Sequence, residues 1–307
     1  MLNPNRLVLK ALVRGLYDLQ HMRIIAGQRI VANFKAKLGQ TPGSKEEILD
    51  KEGREILAKI RKTYDHFTEG VAKFPKQAEF NGDEIISSYA DLCLARQFFE
   101  LEKQEESNGK LLEQTLKDFP AYEAVFRKFK GIGPAMAGVF ISCVEIEKAA
   151  YPSSLWKLCG VDVGPDGRGR GKYAEHLVGR EYQDTDGNTK TKKGVTFNPW
   201  LKSKLLGVIA PGFMMLGPER SKYAQIYKDY KHRLENHVKY GIANDGKKDE
   251  FGRFIGKARR HKMALRYAAK IFLIDLHGAW RAFEGLPPSA PYSEAKLGHK
   301  HHETANV

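Results

Sequence analysis

The spacing of apolar side chains constrains this chain more than any other feature of its sequence. Over residues 5–38, Leu9, Leu12, Leu16, Leu19, Ile24, Val31 and Phe34 recur at gaps mostly of three or four, which gathers them on one face of a helix. The opposite face carries Arg14, Arg23, Arg29, Lys35 and Lys37, and a break is expected near Gly27. Ser44 followed by Glu47 is a capping-box signal for a helix over about 45–69. Asp83 is suited to cap a long helix over about 84–106, and Leu111 and Leu116 continue its apolar face past a weak point at Asn108-Gly109. Two long helices joined by one loop make either an antiparallel pair or a dimerising coiled coil, and no strict heptad selects between them.

After Pro120 the elements shorten. Residues 121–160 read as short helices, and 161–173, VDVGPDGRGRGKY, as a Gly-rich loop. HLVGREYQ and TKKGVTF flank DTDGN, the pattern of a β-hairpin over 176–197. Helical spacing resumes at 199–210, 219–240 and 257–284, while 241–256, rich in Gly, Lys and Asp, reads as a mobile loop. The expected fold is mainly α. A helical or coiled-coil region over 1–120 precedes a helical domain over 121–286 with a small β-hairpin insertion, and residues 287–307 form a flexible tail.

The formal charge of +14 over 307 residues favours a polyanionic partner, because lysine and arginine that neutralise phosphates release counterions. No apolar run approaches the length of a membrane span, and MLNPNRLVLKALVRG lacks the layout of a signal peptide. The three cysteines, Cys93, Cys143 and Cys159, lie far apart in apolar surroundings. They read as buried thiols of a reducing, cytoplasmic compartment and not as a disulfide frame or a metal site.

Candidate contacts fall in six segments. Lys130-Gly131-Ile132-Gly133-Pro134 fits the turn of a helix-hairpin-helix, with Lys130, Gly131 and Gly133 at a phosphate and Pro134 opening the next helix; a tight core corner is the alternative. In YPSSLWK a serine can cap a short helix, and Ser153, Ser154 and Lys157 can meet a ligand. Trp156 offers either a stacking face for a base or a core indole. Arg168, Arg170 and Lys172 alternate with glycine in a loop able to mould to a phosphate backbone and order on binding, or to remain solvated. Lys202 and Lys204 follow on a helix start, and Lys190, Lys192 and Lys193 cluster on the hairpin. Arg253, Lys257, Arg259, Arg260, Lys262, Arg266 and Lys270 form a run that no acid interrupts, and Lys262, Arg266 and Lys270 share one helical face.

Catalysis finds little support. Asp184, Asp186 and Asn188 begin like a calcium loop, but the glycine falls at 187 and Val195 stands where the bidentate Glu belongs. His232 and His237 are five apart and off a common helical face. Neither a metal nor a cofactor is expected, and the chain is read as a binder and not an enzyme.

KGIGPAMAGVFIS followed by YPSSLWKLCGV resembles the Nop domain of box C/D ribonucleoproteins. It also resembles the carboxy-terminal domain of bridge-RNA-guided insertion-sequence transposases. GVTFNPWLKSKLLGVI and RRHKMALRYAAKIFLIDLHGAWR extend the second likeness over roughly 121–285. Those transposases carry an acidic amino-terminal nuclease-like domain and a catalytic serine in the Gly-rich loop; residues 1–120 do not resemble the first, and Val163–Arg170 holds no serine. A helical, Nop-like chain of this kind is similar to the nuclease-free Tas proteins of tandem-interspaced-guide-RNA systems. The resemblance implies a guide RNA, a target DNA, a homodimer with contacts from residues 45–118, and room for a separate nuclease partner. A helix-hairpin-helix DNA-binding protein and a transposase-related protein of a mobile element stand as alternatives.

Overall fold

The structure is a computed structural model that describes residues 4–40, 50–71, 73–287 and 289–290. It is mainly helical, with one two-stranded antiparallel hairpin among the described residues. The chain divides into two compact units, Met1–Thr115 and Leu116–Val307.

In the first unit, α1 (Pro4–Lys37) runs unbroken through Gly27. A glycine there costs about 1 kcal/mol relative to alanine, but Gly27 is buried, so packing outweighs propensity. The second helix, α2 (Lys51–Thr68), starts at Asp50, whose side chain accepts from the Gly53 amide; the capping box at Ser44 and Glu47 lies outside the described residues. The third, α3 (Tyr89–Leu116), starts later than expected and passes through Asn108-Gly109 without a break. Asp83 caps only a turn, accepting from the Ile85 and Ile86 amides. The helix cap is reciprocal: the Asp91 amide donates to Ser88 Oγ, and the Ser88 amide donates to the Asp91 carboxylate.

The two helices joined by one loop, α2 and α3, run antiparallel within the chain, Arg61 pairing with Glu102 and Tyr64 packing on Phe99, and α1 and α3 do so as well. Asn33 and Lys37 near the end of α1 bond to Asp91 at the start of α3, while Gln20 and Arg23 bond to Glu105 further along it. Ile30, Val31, Ile56, Ile60, Ile86, Leu92, Ala95 and Phe98 form their buried core.

The second unit is built round α10 (Lys257–Phe283). Two short helices, α4 (Pro120–Ala124) and α5 (Pro134–Cys143), lead to α6 (Pro152–Leu158). The hairpin β1 (Leu177–Gln183) and β2 (Thr189–Val195) pairs Leu177 with Val195 and Gln183 with Thr189. α7 (Pro199–Lys204) runs through a π-turn at Leu205–Ile209 into α8 (Ala210–Leu216). Pro211 explains that turn, since it lacks the amide that would close the ordinary helical bond. α9 (Lys222–Glu235) packs along α10.

Aromatic rings fill the centre, with Phe272 meeting Phe129, Phe140, Phe213 and Tyr223 at 5.5, 6.0, 5.1 and 5.6 Å. His277 Nε2 lies 2.8 Å from the Ala149 carbonyl, and Arg281 donates to the Ile146 and Ala149 carbonyls. These three bonds anchor the connection before α6 to α10. Among the described residues no helix is long and apolar enough to cross a membrane. Cys159 is buried, but Cys143 is half-buried and Cys93 exposed, which corrects the expectation of three buried thiols. The tail from 291 onward lies outside the described residues.

Candidate nucleic-acid interface

The Gly-rich loop after α6 is where basic segments far apart in sequence meet. Gly160 turns the chain with φ 61°, and a Cβ there would fall 2.6 Å from the Phe197 ring, so only glycine fits. The loop then folds back on itself: the Gly164 amide donates to the Arg168 carbonyl at 2.7 Å and the Arg170 amide to the Asp162 carbonyl at 2.9 Å.

Asp166 fixes the inside of the loop. Its carboxylate accepts from the Arg168 amide at 2.9 Å, from the Arg168 guanidinium, and from His176 Nε2 at 3.0 Å. Burial opposes ionisation of Asp166, but these donors outweigh it and hold the carboxyl far below the usual range. The Gly171 amide donates to His176 Nδ1 at 3.2 Å, which places the imidazole proton on Nε2, facing Asp166. A Cβ at Gly164 would lie 2.5 Å from that Nε2. The loop is therefore folded by its own bonds, a correction to the expectation that it orders on binding a phosphate backbone.

Two of its arginines point to different groups. Arg168 lies 4.2 Å from the centre of the Tyr173 ring and 4.8 Å from that of Phe251, and it pairs with Glu175 at 2.9 Å. Arg170 donates twice to Asp162 Oδ2, at 3.0 and 2.7 Å. Around Asp162 gather Lys202 from α7 and Arg266 and Lys270 from α10. Lys202 donates to the Arg170 carbonyl at 2.5 Å and lies over the Phe197 ring. Arg266 Nη1 is buried without a hydrogen-bond partner and abuts Gly169, where a Cβ would approach it to 2.3 Å. The Lys270 ammonium sits 4.9 Å over the Trp156 ring, while the indole N–H donates to the Lys270 carbonyl.

Burial first, and the Arg266 charge second, push the Lys202 amine down to about 8. The same two causes lower Lys270, and burial lowers Arg266.

The run 253–270 has no acid in sequence, but acids return to it in space. Asp249, its side chain 1% exposed, pairs with Arg253 at 2.9 Å and Arg259 at 2.6 Å. Arg260, 3% exposed, is bound by both oxygens of Asp245 and by the Tyr240 carbonyl. The expected acid-free face is thus corrected at Arg259 and Arg260: both are anchors of the loop 241–256, which they hold folded. Lys262 is exposed one turn before Arg266.

The other predicted contacts divide. Gly133 precedes Pro134 at the start of α5 as expected. Gly131 has φ 94° and a Cβ there would meet Phe213 and Leu216 of α8, while Lys130, Gly131 and Gly133 are all exposed. The expected serine cap is absent: the residue before α6 is Tyr151, which does not cap the helix through its side chain, and Ser153 and Ser154 are half-buried. Lys157 and Lys172 are exposed, and Lys204 is half-buried. On the hairpin, Lys190 pairs with Asp184 at 2.6 Å while Lys192 and Lys193 are exposed.

Sequence reasoning missed Asp162, His176, Tyr173 and the rings of the 241–256 loop. Phe251 lies between Arg168 and Arg253, and Phe254 is 66% exposed with the Lys248 ammonium 5.1 Å from its centre. The interleaving of ring and cation in KKDEFGRF was the available signal. Among the described residues no three His, Cys, Asp or Glu side chains converge to hold a metal ion. No protein-family model, no curated protein and no solved structure matches this chain.

Proposed function

We propose that this chain is the guide-RNA-binding protein of an RNA-guided, DNA-targeting ribonucleoprotein, working in the cytoplasm without a nuclease domain of its own. One observation carries the reading. Arg170, Lys202 and Arg266, picked out as phosphate contacts from three separate stretches, meet at one loop: Arg170 pairs with Asp162, Lys202 donates to the Arg170 carbonyl, and Arg266 lies against Gly169, with Lys270 one turn further along α10. A buried excess of positive charge is costly unless an anion answers it. Exposed Lys157, Lys172 and Lys262, and the ring–cation contacts of Tyr173, Phe251 and Phe254, supply further backbone and base contacts of the kind single strands use. The resemblance to Nop-like guide-RNA proteins assigns the polyanion to RNA; base pairing would then read the target and the protein the RNA's shape. A homodimer and a separate nuclease belong to the same reading.

The test is to purify the chain from its host and sequence the RNA that accompanies it. A uniform short species with repeated flanks supports the reading. Heterogeneous RNA, or DNA affinity that RNase leaves unchanged, points instead to a helix-hairpin-helix DNA binder.

A further inference from the structure

We infer that Arg170, Lys202, Arg266 and Lys270 form a binding site for one phosphate group of a nucleic-acid strand, next to Asp162. This rests on the nucleic-acid reading and narrows it to a ligand group. The four cations arrive from three elements: Arg170 from the loop, Lys202 from α7, and Arg266 and Lys270 one turn apart on α10. Among the described residues, Asp162 is the one carboxylate that acts on Lys202, Arg266 and Lys270. Its Oδ2 is already engaged by Arg170. Were the free Oδ1 to take Arg266 as well, Lys202 and Lys270 would still be unmatched.

The donors suit phosphate. Two planar guanidinium groups and two ammonium groups make charge-assisted bonds to several oxygens at once; a chain-end phosphate offers more acceptors and more charge than a carboxylate, and an internal phosphodiester offers a single charge on two free oxygens together with its ester oxygens. Trp156, half-buried under Lys270, gives an adjoining base a surface to stack on. The row of cations on α10 continues outward through the exposed Lys262, a path for the strand away from the site.

The chemistry is shared by a chain-end phosphate and an internal phosphodiester, and the experiment separates them. The full chain, freed of nucleic acid at high salt, is titrated with inorganic phosphate at constant ionic strength and pH 7, by calorimetry and thermal unfolding. Saturable binding is expected, weakened at least tenfold by Lys270→Gln. The ligand-free variant should unfold at the same temperature as the parent or higher, because a half-buried unmatched charge has been removed. A parent with no saturable response, or a variant that binds as well as the parent, overturns the site. Lys202→Gln gives the same reading should Lys270→Gln not fold.

Short single-stranded RNAs with a 5′-phosphate or a 5′-hydroxyl form the second arm. Tenfold preference for the phosphate, lost in Lys270→Gln, assigns the site to a chain end. Equal binding of both, weakened in the variant, assigns it to an internal phosphodiester. Copurified RNA bound equally by parent and variant overturns the phosphate site and leaves the RNA reading standing. Phosphate bound at the cluster of a chain that carries no RNA does the reverse.

Discussion

Single side chains set both the reach and the stiffness of the candidate interface. Lys202 faces Arg170, Asp162 and Arg266, and its amine titrates near 8. That value lies below the ordinary lysine pKa of about 10.4, so the ligand-free fold gains stability as pH rises from about 8 towards 10. Anion binding should run the other way, full below pH 8 and weakening above it; phosphate titrations across pH 6.5–9.5 check this. Gly164 is a second sensitive point. Alanine there would press a methyl group against the His176 ring, and overpacking of this kind costs roughly 1–3 kcal/mol, read as a drop of several degrees in the unfolding temperature. In the core, Phe272→Ala should cost about 3–5 kcal/mol, given the rings it touches. Gly164 is a residue whose presence could be read from the sequence but whose reason could not. A glycine in GPDGRGRG signals a loop; that His176, twelve positions on, fills the space a Cβ would need is a fact of three dimensions.

Among the elements, α10 and the loop 241–256 form one structural piece. Asp249 holds the loop through the amides of Phe251 and Arg253 and the guanidinium groups of Arg253 and Arg259. Asp249→Asn keeps the shape and removes the charge, and losing one such charge-assisted bond is worth about 2 kcal/mol. Proteolysis within 246–256 should quicken about tenfold or more, with α10 itself intact. Arg259 and Arg260 belong to this scaffold, so their substitution is expected to release the loop and Phe254 with it. Weakened RNA binding in such a variant would report lost positioning as well as lost charge. The elements themselves were largely legible in sequence. The hairpin forms with DTDGN as its turn, Gln183 pairing with Thr189, and α10 begins and ends within a residue of the expected 257–284. Helix interruptions were misjudged at Gly27 and Asn108-Gly109, because local propensity is a small term beside burial on a packed face. The start of α3 was misjudged because Asp83 and Ser88 offer rival caps, and the reciprocal pair with Asp91 prevails.

At the scale of the whole molecule, charge is the property that the partner would meet first. If the phosphate at the Arg170, Lys202, Arg266 and Lys270 cluster and one phosphate at each of the exposed Lys157, Lys172 and Lys262 are neutralised on single-stranded RNA, four phosphates give a slope of about −2.8 in log affinity against log salt. Affinity should then fall about 50-fold between 50 and 200 mM salt, measurable by filter binding. A slope near zero would argue for a scaffold whose charge has no nucleic-acid role.

The sequence by itself determined the helical faces, the hairpin, the glycine turns and the excess of positive charge. Each follows from short-range rules of backbone geometry and from composition, which need no knowledge of distant neighbours. Only the tertiary structure decided which cations are neutralised. Asp245 and Asp249 return to Arg260 and Arg259 across a folded loop, while Lys202, Arg266 and Lys270, brought from segments some sixty residues apart, share the one carboxylate of Asp162. Charge pairing depends on separations of a few ångströms in a medium of low polarity, and sequence order carries no measure of that distance.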